Sequence, residues 1–249
     1  MRLGVTIVGA VIVAATALTG RGAVPLDRIT FPVGALGCNC TIVSCPETKE
    51  ALVIDPGDEA PAILDALARA GLRAVKIVHT HAHFDHVMGT GEVAAGTGAD
   101  VLLHHEDRFL YDNAAMQMAM FGLARARRGA APERDNPPAP TLELRGDEAI
   151  AFGRHEVRAI HTPGHTPGSI CLYFEESGQT PLLFAGDTLF RGSIGRTDLW
   201  GGSLTDIKHS IRDRLLTLPD ATLVIPGHGD ETTVAAERQD NPYVGRFAH

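Results

Sequence analysis

Lysine is nearly absent from this 249-residue chain: of its 22 basic side chains 19 are Arg and 3 are Lys. No basic run is interleaved with aromatics and the formal net charge is −8, which excludes a nonspecific nucleic-acid surface. Cysteine is sparse too. Cys38, Cys40, Cys45 and Cys171 are too few and too bunched for a disulfide scaffold and show no CxxC pairing, so they are expected to be mostly buried free thiols. Neither a GxxxxGK[ST] phosphate loop nor a GxSxG elbow occurs, which removes nucleotide-driven and serine-hydrolase chemistry. GTGEVA (89–94) matches GxGxxA but follows a histidine cluster instead of a strand, so it is no dinucleotide fingerprint.

What is present is ample core material, with 44% hydrophobic residues in a length suited to one large domain or two small ones. Residues 3–20 (LGVTIVGAVIVAATALTG) carry no charge and lie between Arg2 and Arg21. Residues 1–23 thus read as an export signal or a marginal membrane span, as a buried segment, or as upstream sequence translated from a misassigned start. The body is expected over 24–249.

Within that body, short apolar runs end in Gly, Asp or His and alternate with helical stretches. ALVIDPG (51–57), VKIVHTH (75–81) and VLLHH (101–105) read as strands, APAILDALARAGL (60–72) as a helix stopped at Gly71, and 85–97 as helix-like. Residues 107–140 interrupt this rhythm. A Met-rich helix (AAMQMAMFGLARARR) dissolves into GAAPERDNPPAP, an inserted excursion that acts as a lid or simply as a connection packed on the body. Four further β-rich runs follow, at 155–165, 169–175, 181–187 and 222–229.

Four strand-like runs deliver a potential metal ligand at or just past their C-terminal ends: His81, His165, Asp187 and His228. Loops at strand ends are where α/β proteins place binding groups. THAHFDH (80–86) is the densest of these stretches. On a helix, His81 and His83 would point about 200° apart; in an extended segment they face the same side and can meet one ion. Asp85 and His86, where the chain turns into a helix, project toward a second position about 3.5 to 4 Å away. His165 then completes the first site, His228 the second, and Asp187 can bridge them. Imidazole and carboxylate suit Zn²⁺, Fe²⁺ or Mn²⁺, and the lack of clustered thiolate argues against a closed structural zinc site. Water held between two such ions is a ready nucleophile, so the implied reaction is hydrolysis. His104, His105, His155, His209 and His249 stand in no comparable cluster and are expected on the surface or in packing, whereas His79 and His161 are expected to support a ligand or to be simply buried.

With HAHFDH, TPGHTPGS, FAGDTLF and IPGHG in this order, the sequence resembles the metallo-β-lactamase-fold hydrolases from about residue 29 to the end. GDTLFRGSIGRTD (186–198) and DNPY (240–243) make it similar to the short glyoxalase II-like branch, the hydroxyacylglutathione hydrolases. The resemblance implies an α/β fold, a four-layer αββα sandwich, with a binuclear site at one edge of the two sheets. It implies His81, His83 and His165 on the first metal, Asp85, His86 and His228 on the second, and Asp187 bridging, with zinc the first choice of ion and iron or manganese the alternatives. It further implies attack of a metal-bridging hydroxide on a thioester such as S-lactoylglutathione, with Asp85 briefly holding the nucleophile's proton. Asp55, in the DPG turn, either orients a metal-bound histidine or caps its own turn. β-Lactamase activity is a poor fit to a bridging Asp187.

One departure concerns the substrate. Full-length glyoxalase II carries a helical C-terminal domain that supplies glutathione-binding groups, and 21 residues follow His228 here. Arg191 and Arg196 are candidates for binding substrate carboxylates, with structural ion pairs as the alternative. A persulfide dioxygenase of the same fold, with one iron on His81, His165 and Asp187, is the competing reading. The resemblance suggests a cytoplasmic location; export or anchoring through residues 1–23 is the alternative, with membrane contact expected only through residues 3–20.

Overall fold

A computed structural model describes residues 25–123 and 136–248, together with the backbone of a two-residue strand near the N-terminus. The rest of the 1–23 segment, and the middle of the 107–140 insertion, lie outside the described residues. Among those described, seven strands form a first sheet in sequential order: β1 (Val11–Ile12), β2 (Asp27–Val33), β3 (Cys38–Ser44), β4 (Glu50–Ile54), β5 (Arg73–Val78), β6 (Asp100–His104) and β7 (Leu142–Leu144). Pairing is antiparallel from β1 to β4 and parallel from β4 to β7. The parallel half needs crossovers, which α1 (Ala60–Ala70) and then α2 (Phe84–Val87) and α3 (Thr90–Thr97) provide. The helix expected over 85–97 is therefore two helices, separated at Met88 and Gly89. α1 stops where expected, at Gly71 with φ 64°.

The insertion contributes α4 (Arg108–Asp112) and α5 (Ala114–Met120). The sequence predicts a helix running on through the arginines, but α5 ends at Met120 and Gly122 adopts φ 71°, the left-handed conformation that closes helices. The second sheet comprises β8 (Ala149–Phe152), β9 (His155–His161), β10 (Ile170–Phe174) and β11 (Leu182–Gly186). A short ribbon of β12 (Leu189–Phe190) and β13 (Ser193–Ile194) follows, and then β14 (Leu223–Pro226) and β15 (Thr232–Thr233) return to the sheet in the order β15-β14-β11-β10-β9-β8. Helices α6 (Leu204–His209) and α7 (Val234–Asp240) cover its outer face.

The layering follows from strands that are apolar at nearly every position. Successive side chains point to opposite faces, so Val43, Leu52, Val78 and Leu102 meet Ile150, Leu172, Phe184 and Ile225 between the sheets. Their neighbours Ile42, Val53, Ile77 and Val101 face outward onto Ile63, Leu67 and Val93 of the helices. On the other side Cys171, Leu183, Ala185 and Val224 pack against Ile207, Ile211 and Val234. Three apolar layers separate four layers of backbone, which is the αββα sandwich expected. All four cysteines are buried and free, also as expected. Among the described residues, no helix is long and apolar enough to cross a membrane.

At one edge the loops leaving β5, β9, β11 and β14 converge. They are joined across the sheets by backbone bonds from the Ile170 amide to the Thr80 carbonyl (2.7 Å) and from the Asn39 amide to the Gly227 carbonyl (2.7 Å).

Candidate metal centre

The predicted ligands meet at this edge as two groups of donors. His81, His83 and His165 form one, with their ligand atoms mutually within 4.8 Å, and Asp85, His86 and His228 form the other. His83 Nδ1 lies 2.9 Å from His165 Nε2, and His86 Nε2 lies 3.2 Å from His228 Nε2. Asp187 stands between the groups, Oδ1 3.5 Å from His86 Nε2, and Oδ2 3.6 Å from His165 Nε2 and 3.8 Å from His228 Nε2. Asp85 Oδ2 lies 3.2 Å from His228 Nε2. The extended chain between β5 and α2 carries His81 and His83, whereas Asp85 and His86 open α2.

Whether a cation fits can be judged from the outer ring nitrogens, because a neutral imidazole that donates through one nitrogen offers a lone pair on the other. His165 Nδ1 donates to the Arg196 carbonyl (2.8 Å), His228 Nδ1 to the Leu36 carbonyl (3.2 Å) and His86 Nδ1 to Asp55 Oδ2 (3.0 Å). Thr80 Oγ1 donates to Asp55 Oδ2 (2.6 Å), so at its 3.1 Å contact with His81 Nδ1 the ring is the donor. Four rings therefore turn an unprotonated Nε2 inward. His81 Nε2 and Asp187 Oδ1 are buried with no hydrogen-bond partner, an arrangement costly for a protein alone and natural for metal ligands. The donor set fits two divalent cations.

Electrostatics agree. Burial, reinforced by neighbouring imidazoles, holds His81 and His83 well below the usual histidine range, so both are neutral bases at pH 7. Burial works against ionisation of Asp85, but His86 and the contact with His228 hold its carboxyl far below the usual carboxylate range. His86 behaves oppositely: against burial, Cys38, Asp187 and Asp85 raise its proton affinity, so a cation here competes with a proton.

Asp55 faces His86 and also accepts from the Thr80 amide (2.8 Å), so its side chain braces the ligand loop instead of capping its own turn. It does so from φ 50°, a strained backbone for a residue other than Gly. Arg191 and Arg196, both exposed, pair with Asp230 (3.3 Å) and Asp198 (2.7 Å). Arg196 reaches the centre through its carbonyl.

Two supports escape sequence reasoning. Asp107 is fully buried and accepts from the Ala82 amide (2.8 Å), Thr166 Oγ1 (2.8 Å) and the Gly168 amide (2.6 Å). Gln117 of α5 donates to the Ala82 carbonyl at 3.0 Å. The insertion thus grips both backbone polar groups of Ala82, the residue between His81 and His83, and nothing in residue type or spacing signals it. His104 departs from its expected isolation: its ring stacks on His161 at 4.1 Å, beside Glu106. His79 is buried and bonded to Thr90 Oγ1 (3.1 Å), while His155 packs between Phe152 and Phe174, as expected of a packing residue.

The profile of the Metallo-beta-lactamase superfamily matches residues 33–228. The chain is 41% identical to an uncharacterized protein of Aquifex aeolicus, over 87% of this chain and 96% of the other. It is 33% identical to the hydroxyacylglutathione hydrolase GloC of Haemophilus influenzae, over 86% and 96%. Among solved structures it is similar to the BLEG-1 B3 metallo-beta-lactamase (TM-score 0.75, 33% identity, 87% and 99% covered) and to TTHA1623 in a di-iron-bound form (0.73, 37%, 85% and 98%). ETHE1 from Myxococcus xanthus is more distant (0.67, 25%, 86% and 83%). The chain belongs to the metallo-beta-lactamase superfamily, whose members are metal-dependent hydrolases.

Proposed function

We propose that this chain is a binuclear thioester hydrolase acting on S-(2-hydroxyacyl)glutathione such as S-lactoylglutathione. The observation that carries the reading is the position of Asp187 between two complete donor groups, His81–His83–His165 and Asp85–His86–His228. The GloC relative supports the substrate class.

Two divalent ions held there, zinc in the first instance and iron or manganese otherwise, would supply a nucleophile at neutral pH and polarise the thioester carbonyl. The chain's own residues do the rest. Asp55, the Thr80 hydroxyl and the Leu36 and Arg196 carbonyls fix four imidazoles in one tautomer. Asp85, ionised and on the inner face of α2, takes the proton released by the attacking water. The carbon–sulfur bond breaks as the carbon–oxygen bond forms, and the thiolate, whose conjugate acid has a pKa of about 8.5, leaves without strong acid assistance. Arg191 and Arg196, whose acidic partners are solvent-exposed and easily exchanged, are our candidates for the glutathione carboxylates.

A persulfide dioxygenase remains the second reading, favoured by the likeness to ETHE1 and by the two-His, one-carboxylate set of His81, His165 and Asp187. Metal content per chain, with hydrolysis of S-lactoylglutathione compared against oxygen uptake on glutathione persulfide, separates them. Two metals with thioester turnover are expected; one iron with oxygen uptake overturns the proposal.

A further inference from the structure

A second set of ligating groups stands beside Asp107 and shares no residue with the metal centre. His104 ends β6, Glu106 lies in the turn that follows, and His161 ends β9 of the other sheet. One donor atom from each lies within 4.8 Å of the other two. The rings of His104 and His161 stack at 4.1 Å, 18° from parallel, and Glu106 Oε2 lies 3.4 Å from His161 Nε2. His104 is buried, and its Nε2 meets no hydrogen-bond partner among the described residues. The hydrogen bond the ring does make is long: Nδ1 accepts from the Glu106 amide at 3.4 Å.

Burial, with His161 and His105 beside it, keeps His104 unprotonated at pH 7, so the ring has a lone pair to offer. Moving its one proton from Nε2 to Nδ1 costs only the long contact and frees the Nε2 lone pair. Two imidazoles and a carboxylate suit a transition-metal dication and not calcium or magnesium, which prefer oxygen ligands. Glu106 is open to solvent, so water can fill the fourth position. We propose that His104, Glu106 and His161 form a third cation site, specific for transition metals and separate from the binuclear centre. Its occupancy should be felt at that centre. His161 Nε2 donates to the Pro167 carbonyl (2.8 Å), and the residues on either side, Thr166 and Gly168, are held by Asp107. A cation that takes the His161 Nε2 lone pair removes the proton that Pro167 accepts, and the loop carrying His165 loses one tie. The third ion is therefore inhibitory.

Zinc alone is the probe. The full chain, loaded to two ions and freed of excess, is titrated with Zn²⁺ by calorimetry, and metal per chain is counted by elemental analysis. One further ion per chain is expected. Glu106→Gln and His161→Gln, both at side chains that solvent reaches, should each weaken it by at least roughly 10- to 100-fold, the range for groups that merely orient a ligand. His105→Gln is the control: its ring lies 4.8 Å from that of His104 but outside the donor group, and the third ion should bind unchanged. Absence of a third ion, or one whose affinity both ligand variants leave intact, overturns the site. Excess zinc should slow cleavage of S-lactoylglutathione by the unsubstituted chain and spare Glu106→Gln; full turnover with the third ion bound overturns the coupling to His165. Only this inhibition rests on the hydrolase reading. Should no thioester be cleaved, that reading fails while the metal count still judges the site.

Discussion

Asp107 Oδ2 accepts the amide proton of Ala82 at 2.8 Å, and Ala82 is the single residue between His81 and His83. Because Asp107 also holds the loop after His165 through Thr166 and Gly168, one carboxylate fixes the spacing of all three imidazoles in the first donor group. Asp107→Asn retains one acceptor and faces the remaining donors with an amide. Metal affinity, read by competition with a chelator, should fall 10- to 100-fold, roughly the range for partners that orient ligands. Unfolding of the metal-free chain should show a loss of about 1 to 3 kcal/mol.

Asp187→Ala removes the carboxylate shared by the two groups. Metal content should drop from two ions per chain to one or none, and thioester turnover should fall at least about 100-fold. Elemental analysis beside steady-state kinetics checks both. Two retained metals with near-normal turnover would show that Asp187 does not bridge.

Gly227 tests how tightly the backbone is drawn around the site. A Cβ there would come within 2.2 Å of Asp187 Oδ1 and 2.9 Å of His86 Cε1, so Gly227→Ala should displace the shared carboxylate and lower turnover roughly tenfold or more. Gly146, where an added Cβ meets nothing within 4 Å, is the control, and its alanine variant should match the unsubstituted enzyme.

His104 sets a pH dependence away from the centre. Burial, together with His161 and His105, lowers its pKa to about 4 from an ordinary value of 6.5. The unfolded chain therefore binds a proton between pH 6.5 and 4 that the folded chain refuses, and stability should decline as pH falls through that window. This one group contributes at most about 1.4 kcal/mol per pH unit. Denaturant titrations of the metal-free chain at pH 7 and 4.5 should show the decline, and His104→Gln should reduce it by this one group's share, leaving the part that the buried His79, His81 and His83 contribute.

The ligands were legible because each sits at the end of an apolar strand, where residue type and chain geometry combine. His81 and His83, two residues apart in extended chain, could only face the same way. The layered fold followed from strands such as LVI at 52–54, apolar on both faces. Asp107 and Gln117 were not legible, since their task is to grip a peptide 25 or more residues away and the sequence carries no mark of that contact. Arg196 was singled out for its guanidinium, whereas the carbonyl, common to every residue, is the atom that touches His165. The stack of His104 on His161 pairs the ends of strands from different sheets, a proximity only the fold creates.

The Leu36 carbonyl accepts from His228 while its side chain, 48% exposed, walls a cavity of about 390 Å³ that Asp85, Met88 and Met118 also line. A hairpin tip so placed belongs to two equilibria at once. Any occupant that presses on Leu36 shifts the tautomeric and positional freedom of His228, and a cation that fixes His228 stiffens the tip. Thermodynamic reciprocity then requires the two effects to be equal: by whatever factor loading the centre changes affinity for the cavity's occupant, the occupant changes affinity for the ion. Cation retention should therefore report on what fills the cavity, even when no bond is being cleaved.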